Sequence, residues 1–217
     1  MKIIVDGKDY NVIITRKAFK KNITIRLKDD MNFYVSCNMS TPDFVIKNLF
    51  NDSIDSIRRM IKKVSFKVSR HEEEDNNFYY LGKKFDIVYL NQKGLTMTYD
   101  KVFVPQDFDF DKWYLKEAKK IFKDELDRIY NSFVYEIPYP SLTIRKMKTR
   151  WGVCNYKTKR VTLNFNLIKK DIKYLDYVIV HELSHLLYHD HGRDFWKCVE
   201  ANMPEFKDIR KDLKNYE

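Results

Sequence analysis

The stretch from about Asp171 to His189 constrains this chain more than any other. With successive residues placed about 100° apart, Ile172, Leu175, Ile179, Leu183 and Leu186 form one helical stripe. Val178, Val180 and Leu187 fill its flanks. A helix that is apolar nearly all round belongs inside a fold. Yet this one carries His181 and His185 on the side opposite the stripe, with Glu182 beside them. The run His181-Glu182-Leu183-Ser184-His185 is the H-E-x-x-H pattern. Imidazoles at i and i+4 leave one face about 6 Å apart, so both can reach one zinc ion at roughly 2.0–2.1 Å. The competing reading is a satisfied pair of core histidines with a surface glutamate. Against it, a carboxylate within a nearly all-apolar run is costly to bury unpaired.

A third ligand comes from elsewhere. His189 lies eight residues from His181, about 12 Å along a helix, too far for one ion. His191 is followed by Gly192, which permits a left-handed helix termination and a chain reversal. His191 is therefore the expected third ligand, with His189 as the fallback and Glu200 and Glu205 further behind. Three protein ligands leave one position for water, whose pKa the ion lowers toward ~7. Glu182 then accepts the proton and later delivers it to the leaving group. An oxyanion donor is also expected, and Arg150, Tyr188 and Arg193 are its candidates.

Composition narrows the setting. The net charge of +10 favours acidic partners, such as a nucleotide, a nucleic acid or an anionic surface, although a solvated lysine-rich surface explains it equally. Cys37, Cys154 and Cys198 are odd in number and widely spaced, so a disulfide framework is not expected and a reducing compartment fits. The apolar run at the N-terminus is short for a signal peptide, and no stretch approaches the ~18 apolar residues of a membrane span. A soluble, cytoplasmic protein without membrane partners is expected.

Along the chain, residues 1–40 predict an antiparallel meander of about three strands, with a turn at Asp6-Gly7. Thr41 is a plausible N-cap for a helix reaching Lys63, and 71–77 is a polar, acidic connector in which His71 is a solvated loop residue. Strands return at 78–81, 85–90, 95–99 and 102–104. A long amphipathic helix over 111–135 ends at Pro138 and Pro140. Short strands around 142–144 and 161–163 flank Arg150-Trp151-Gly152-Val153-Cys154, and helices near 192–201 and from Pro204 follow the motif. No internal repeat stands out. The class is α+β, with a strand-rich region over 1–106 and a second domain over 107–217.

These residues together resemble the YgjP-like metallopeptidase domain family, related to the SprT and WLM zincin-like proteases. Thr149–Cys154 resembles the family's Arg-Trp-Gly-Ser-Cys box. Leu163-Asn164, Leu167-Ile168 and Asp176–Val178 resemble the stretch joining that box to the zinc helix. His181–His185, His191 and Phe195-Trp196 resemble the motif, the third histidine and a Phe-Trp element, and Met203-Pro204 fits the start of the last helix. Tyr80–Gly82 and Trp113-Tyr114 extend the likeness over nearly the whole chain. The resemblance implies zinc on His181, His185 and His191, a catalytic Glu182, and a zincin-like metallopeptidase domain with an HExxH active-site helix. Val153 and Gly192 depart from the serines usual at those places.

The leading expectation is a zinc-dependent metallopeptidase hydrolysing a peptide or protein substrate, with Ni2+ or Mn2+ as alternative ions. One rival is a metal-dependent nucleoside triphosphate pyrophosphatase, for which no Gly-rich phosphate loop is present. Another is a DNA-associated SprT-like protease, with a basic edge of Lys146, Lys148, Arg150, Lys157, Lys159 and Arg160. A non-catalytic binding module is disfavoured because such a site has no need of Glu182.

Overall fold

The computed structural model describes residues 1–214 and Tyr216, and for residues 70–76 the backbone alone. The chain divides into two compact units, Met1–Asp75 and Asn76–Glu217.

In the first unit, β1 (Lys2–Val5) and β2 (Lys8–Lys17) are joined by Asp6-Gly7. Both turn residues have positive φ, 51° and 77°, as a two-residue turn between right-twisted strands requires. Then come β3 (Thr24–Leu27), β4 (Phe33–Asn38), α1 (Asp43–Asp52) and α2 (Ile54–Asn76). The sheet order is β1-β2-β4-β3, with β2 parallel to β4. This corrects the expected antiparallel meander: β3 crosses to the far edge and β4 returns beside β2. Alternating apolar residues tell which face of a strand is buried and say nothing of which strand lies beside it. β4 buries Phe33, Val35 and Cys37, and Phe33 meets the rings of Tyr10 and Phe50 edge-on at 5.7 and 5.1 Å. Such ring pairs add about 0.5–1.5 kcal/mol each beyond area burial.

The helix expected to end at Lys63 is two helices, broken at Ser53, and the second runs on through residues 71–76. A run of glutamates is polar but forms helix readily, which the connector reading overlooked. The side chain of His71 lies outside the described residues. Pro42, not Thr41, takes the N-cap position of α1, without a side-chain cap bond.

The second unit opens with β5 (Phe78–Tyr80), β6 (Lys83–Tyr89), β7 (Thr96–Met97) and β8 (Lys101–Val104). α3 (Phe110–Ser132) follows, capped by Asp109, whose carboxylate accepts from the Lys112 N–H at 2.9 Å. β9 (Ser141–Arg145), β10 (Gly152–Asn155) and β11 (Arg160–Asn164) form a sheet ordered β10-β11-β9. A short 3-10 helix (Phe165–Lys169) leads to α4 (Ile172–Ser184), α5 (Arg193–Asn202) and α6 (Phe206–Lys214). Tyr114, Ala118, Phe122, Leu126 and Ile129 recur along one stripe of α3 and share a core with Leu175, Ile179 and Leu183 of α4. Phe78, Phe85, Val102 and Val104 belong to the same core, so residues 76–106 pack with the motif helix. Among the described residues, six α-helices and three sheets make a mixed α+β fold, and no helix is long and apolar enough to cross a membrane.

The two four-stranded sheets repeat one plan. The second is ordered β5-β6-β8-β7, with an antiparallel first pair, β6 parallel to β8, and β7 antiparallel to β8. The first has the same pairings in the same order. Both open with a two-residue turn at positive φ, Asp6-Gly7 and Leu81-Gly82. The shared sequence signal is slight, Val5-Asp6-Gly7-Lys8 against Tyr80-Leu81-Gly82-Lys83, which is why the repeat did not stand out.

The second of these turns braces the motif helix. The Leu81 N–H donates to the Ile168 carbonyl at 2.9 Å. Gly82, at φ 83°, lies so close to the N-cap residue of α4 that a Cβ there would stand 2.9 Å from Asp171 Cα. Gly94 also has positive φ, 74°, but open space around it. Alanine at either position pays the left-handed backbone penalty, and only at Gly82 is overpacking of about 1–3 kcal/mol added. Urea unfolding should therefore find Gly82→Ala the less stable variant by roughly that margin; equal losses would show that the turn does not brace α4.

Candidate metal centre

α4 is buried along nearly its whole length: Tyr174, Leu175, Tyr177, Val178, Ile179, Val180, Glu182, Leu183 and Ser184 are all inside. Its first turn is capped by the Asp171 carboxylate, which accepts from the Lys173 N–H at 3.1 Å. The helix was expected to reach His189 and instead ends at Ser184, with His185 as its C-cap. The backbone tightens there: the Leu186 and Leu187 N–H groups donate three residues back, to Leu183 and Ser184. The reversal toward His191 also differs from expectation. Gly192 is extended rather than left-handed and serves as the N-cap of α5. The Asp190 carboxylate, accepting from the Gly192 N–H at 3.1 Å, forms the turn.

The turn brings three imidazoles together. The ring centroids of His181, His185 and His191 are 5.0, 5.0 and 4.8 Å apart, nearly an equilateral triangle. One nitrogen from each lies within 4.8 Å of the others. Nε2 of His181 faces Nε2 of His191 at 3.1 Å, close to the roughly 3.3 Å between two ligand atoms on one tetrahedral zinc. Nδ1 of His185 lies 3.0 Å from the Tyr188 carbonyl oxygen. An N–H donated there leaves the Nε2 lone pair free for a metal, the arrangement usual for a ligating histidine. The donor set therefore fits a zinc ion. Phe195 backs all three rings, at 5.0, 4.5 and 4.8 Å, and Trp196 stacks on His191. The Phe-Trp pair of α5 is thus the wall behind the triangle. His189 is elsewhere, stacked on Tyr156 at 3.6 Å. Glu200 and Glu205 are outside the cluster, as are the three thiols, of which Cys154 is pushed up to about 12 by burial.

Glu182 is 4% exposed. Burial pushes its pKa up to about 8, against the N–H of Cys154, which it accepts, and the charge of Arg150. His181 is driven down to about 3, first by burial and then by the charges of His185, His191 and Arg210, so its ring is neutral and ready to ligate. His185 is lowered as well, chiefly by burial.

β10 runs past Glu182 at very short range. A Cβ on Gly152 would stand 2.5 Å from Glu182 Oε1, 2.7 Å from its Cγ and 2.7 Å from Val178 Cγ1. Glycine is present at 152 because the carboxylate occupies the space of a side chain. Asn164 holds the loop before β10: its side-chain amide donates to the carbonyls of Met147 and Arg150 at 2.9 and 2.7 Å. Neither role was visible in the sequence, since both depend on the approach of β10 and β11 to α4.

A cavity of about 240 Å³ opens beside the triangle, lined by His181, Glu182 and His191 together with residues of the Arg-Trp-Gly segment and of α6. Of the three oxyanion candidates, Arg150 lines it, whereas Tyr188 and Arg193 do not. Trp151 both packs on the core and lines the cavity. Arg210 and Lys214 of α6 line it too and had no sequence signal. The six cations of the basic edge are all exposed, and Arg150 alone among them reaches the cavity.

These two desolvated groups make the metal-free protein pH-sensitive in opposite directions. His181 binds its proton more weakly in the fold, so its contribution to stability is full above its usual 6.5 and is lost as pH falls toward 3. Glu182 binds its proton more tightly in the fold, so its contribution is full below its usual 4.5 and is lost as pH rises through about 8. Glu182→Gln removes the second slope. In chelator, the advantage of the glutamine variant in urea should grow between pH 4.5 and 8 and then level off. A constant difference would mean that Glu182 is not held in a desolvated place.

The chain is similar to known proteins beyond this site. The model of the YgjP-like metallopeptidase domain matches residues 21–216. No curated protein matches. Among solved structures, the metallopeptidase zymogen abylysin of Pyrococcus abyssi is 25% identical, over 42% of this chain and 90% of that one, with a TM-score of 0.39. The metallopeptidase zymogen jannalysin of Methanocaldococcus jannaschii is 26% identical, over 42% and 92%, with a TM-score of 0.37. A match spanning all but the first twenty residues and the last shows that the chain belongs to the YgjP-like metallopeptidase domain family.

Proposed function

We propose that this metallopeptidase is of the HExxH type, with zinc held by His181, His185 and His191 and with Glu182 as the general base. The observation that carries the reading is the triangle of three imidazoles, two of which, His181 and His191, line one cavity with the buried carboxylate of Glu182. Zinc bound there supplies Lewis acidity, polarising a carbonyl oxygen and lowering the pKa of water toward ~7. An all-imidazole donor set suits zinc or nickel better than manganese. Every residue named lies within 107–217, and we assign the compact unit that holds them, Asn76–Glu217, as the catalytic one.

The chain's own groups do the proton work. Glu182 takes a proton from the attacking water as the new C–O bond forms, and its affinity for that proton comes from burial. It then passes the proton to the leaving nitrogen as the C–N bond breaks. Arg150 is the oxyanion donor supported by position. Trp151 and Trp196 line the cavity and limit its water.

Loss of any one of His181, His185 or His191 to alanine should abolish stoichiometric zinc, measured by metal analysis after dialysis, while His189→Ala keeps it. Zinc retained in His191→Ala would contradict the ligand set. Peptide cleavage by the zinc-loaded wild type should disappear in Glu182→Gln. Release of pyrophosphate from nucleoside triphosphates, with no peptide cleaved, would replace this reading by that of a pyrophosphatase.

Gly152→Ala tests the placement of the base. It should fold and bind one zinc, because the three histidines are untouched, yet lose about 100-fold in kcat from a displaced Glu182. Full activity in that variant would show that Glu182 need not stay where it is.

A further inference from the structure

Arginine usage in this chain separates one residue from the others. Arg16, Arg58 and Arg128 are ion-paired with carboxylates. Among the described residues, the arginines without such a pair are exposed, except Arg210, which is half-buried. Its guanidinium carbon lies 4.3 Å from the ring centroid of Trp196. That ring is itself stacked on Phe206 at an interplanar angle of 10° and on His191 at 20°. The guanidinium is therefore held by an aromatic wall, and its planar fork of five N–H donors belongs to the lining of the cavity shared with His181, Glu182 and His191. A partly buried cation held without an anion is a cost unless a ligand repays it.

The rest of the lining points the same way. Among the described residues that line the cavity, Arg150 and Lys214 add two cations to Arg210, and Glu182 is the one carboxylate. The cavity thus presents three cations against one acid. A guanidinium stacked on an aromatic ring suits a planar carboxylate, which it grips through two parallel N–H bonds.

We propose that Arg210 reads a carboxylate on the peptide substrate, so that the enzyme prefers substrates with an acidic group next to the bond it cleaves. That group is either the C-terminal carboxylate or an aspartate or glutamate side chain. The proposal rests on the peptidase reading above and names the substrate class of the same site. Arg210 is a specificity residue here: it binds the substrate in the ground state and takes no part in moving the proton.

The test uses zinc-loaded Glu182→Gln, which binds without turnover, and fluorescent peptides of one sequence in four forms. The C-terminus is a free acid or an amide, and the neighbouring residue is glutamate or glutamine. One acidic form should bind about tenfold or more tightly than its neutral twin, as expected for a charge-assisted pair. The twin that shows the gap tells whether the terminus or the side chain is read. Adding Arg210→Gln should remove the gap, Arg210→Lys should restore part of it, and Lys211→Gln, an equal loss of charge at an exposed position of α6, should leave it. If Arg210→Gln does not fold, the gap in Arg210→Lys should still shrink. No gap in any twin, or a gap that survives in the Arg210 variants, overturns the proposal.

Kinetics of the otherwise wild-type enzyme separate this inference from the one beneath it. Arg210→Gln should raise KM for the acidic peptide with kcat nearly unchanged. An equal fall in kcat for all four peptides would make Arg210 an oxyanion donor and overturn the proposal. Binding preference without cleavage of any peptide would uphold the carboxylate site and remove the peptidase reading. Cleavage without preference would do the reverse.

Discussion

A thirteen-residue helix enclosed on almost every side must dispose of one imidazole and a carboxylate, with a second imidazole at its C-cap. Most features of the second unit answer that demand. The turn at Leu81-Gly82 presses on its first residues, α3 packs along its apolar stripe, and α5 supplies the aromatic wall behind its histidines. The polar side is left a narrow space bounded by β10, by the turn through His191 and by α6. A divalent ion is the partner that matches three imidazole nitrogens within 4.8 Å of one another, and the fold keeps His181 unprotonated.

The same enclosure sets the chemistry of Glu182. A carboxylate in water is a poor base at neutral pH, and one that is 4% exposed with a single backbone donor beside it is a much better one. Enclosure of a carboxylate costs stability in the metal-free protein. It also explains the close approach of Gly152: Glu182 is packed against the strand whose Cys154 N–H it accepts, so the strand can have no side chain at 152. Family membership, from residues 21–216, is that of a metallopeptidase domain, and three histidines placed to hold a metal ion fit it.

The sequence showed what repeats or follows a spacing. The motif histidines, the amphipathic stripe of α3 and most strands were legible because burial imposes a period on the residues. His191 does lie with His181 and His185 and His189 apart on Tyr156, but not for the expected reason: α4 ends at Ser184, so His189 is not on it. What it hid depends on partners distant in the chain. The crossing of β3, the steric role of Gly152, the loop held by Asn164 and the place of Arg210 beside Trp196 leave no periodic trace. The early end of α4 and the extended Gly192 were missed for a local reason: a carboxylate, Asp190, makes a turn that glycine flexibility would also have made.

X-ray absorption at the zinc edge of the loaded protein addresses the central assignment most directly, because it reads the ligand atoms around the ion. The account predicts a first shell of nitrogen and oxygen at about 2.0–2.1 Å, with the multiple-scattering pattern of three imidazoles. Sulfur at about 2.3 Å, or the pattern of only two imidazoles, would contradict it.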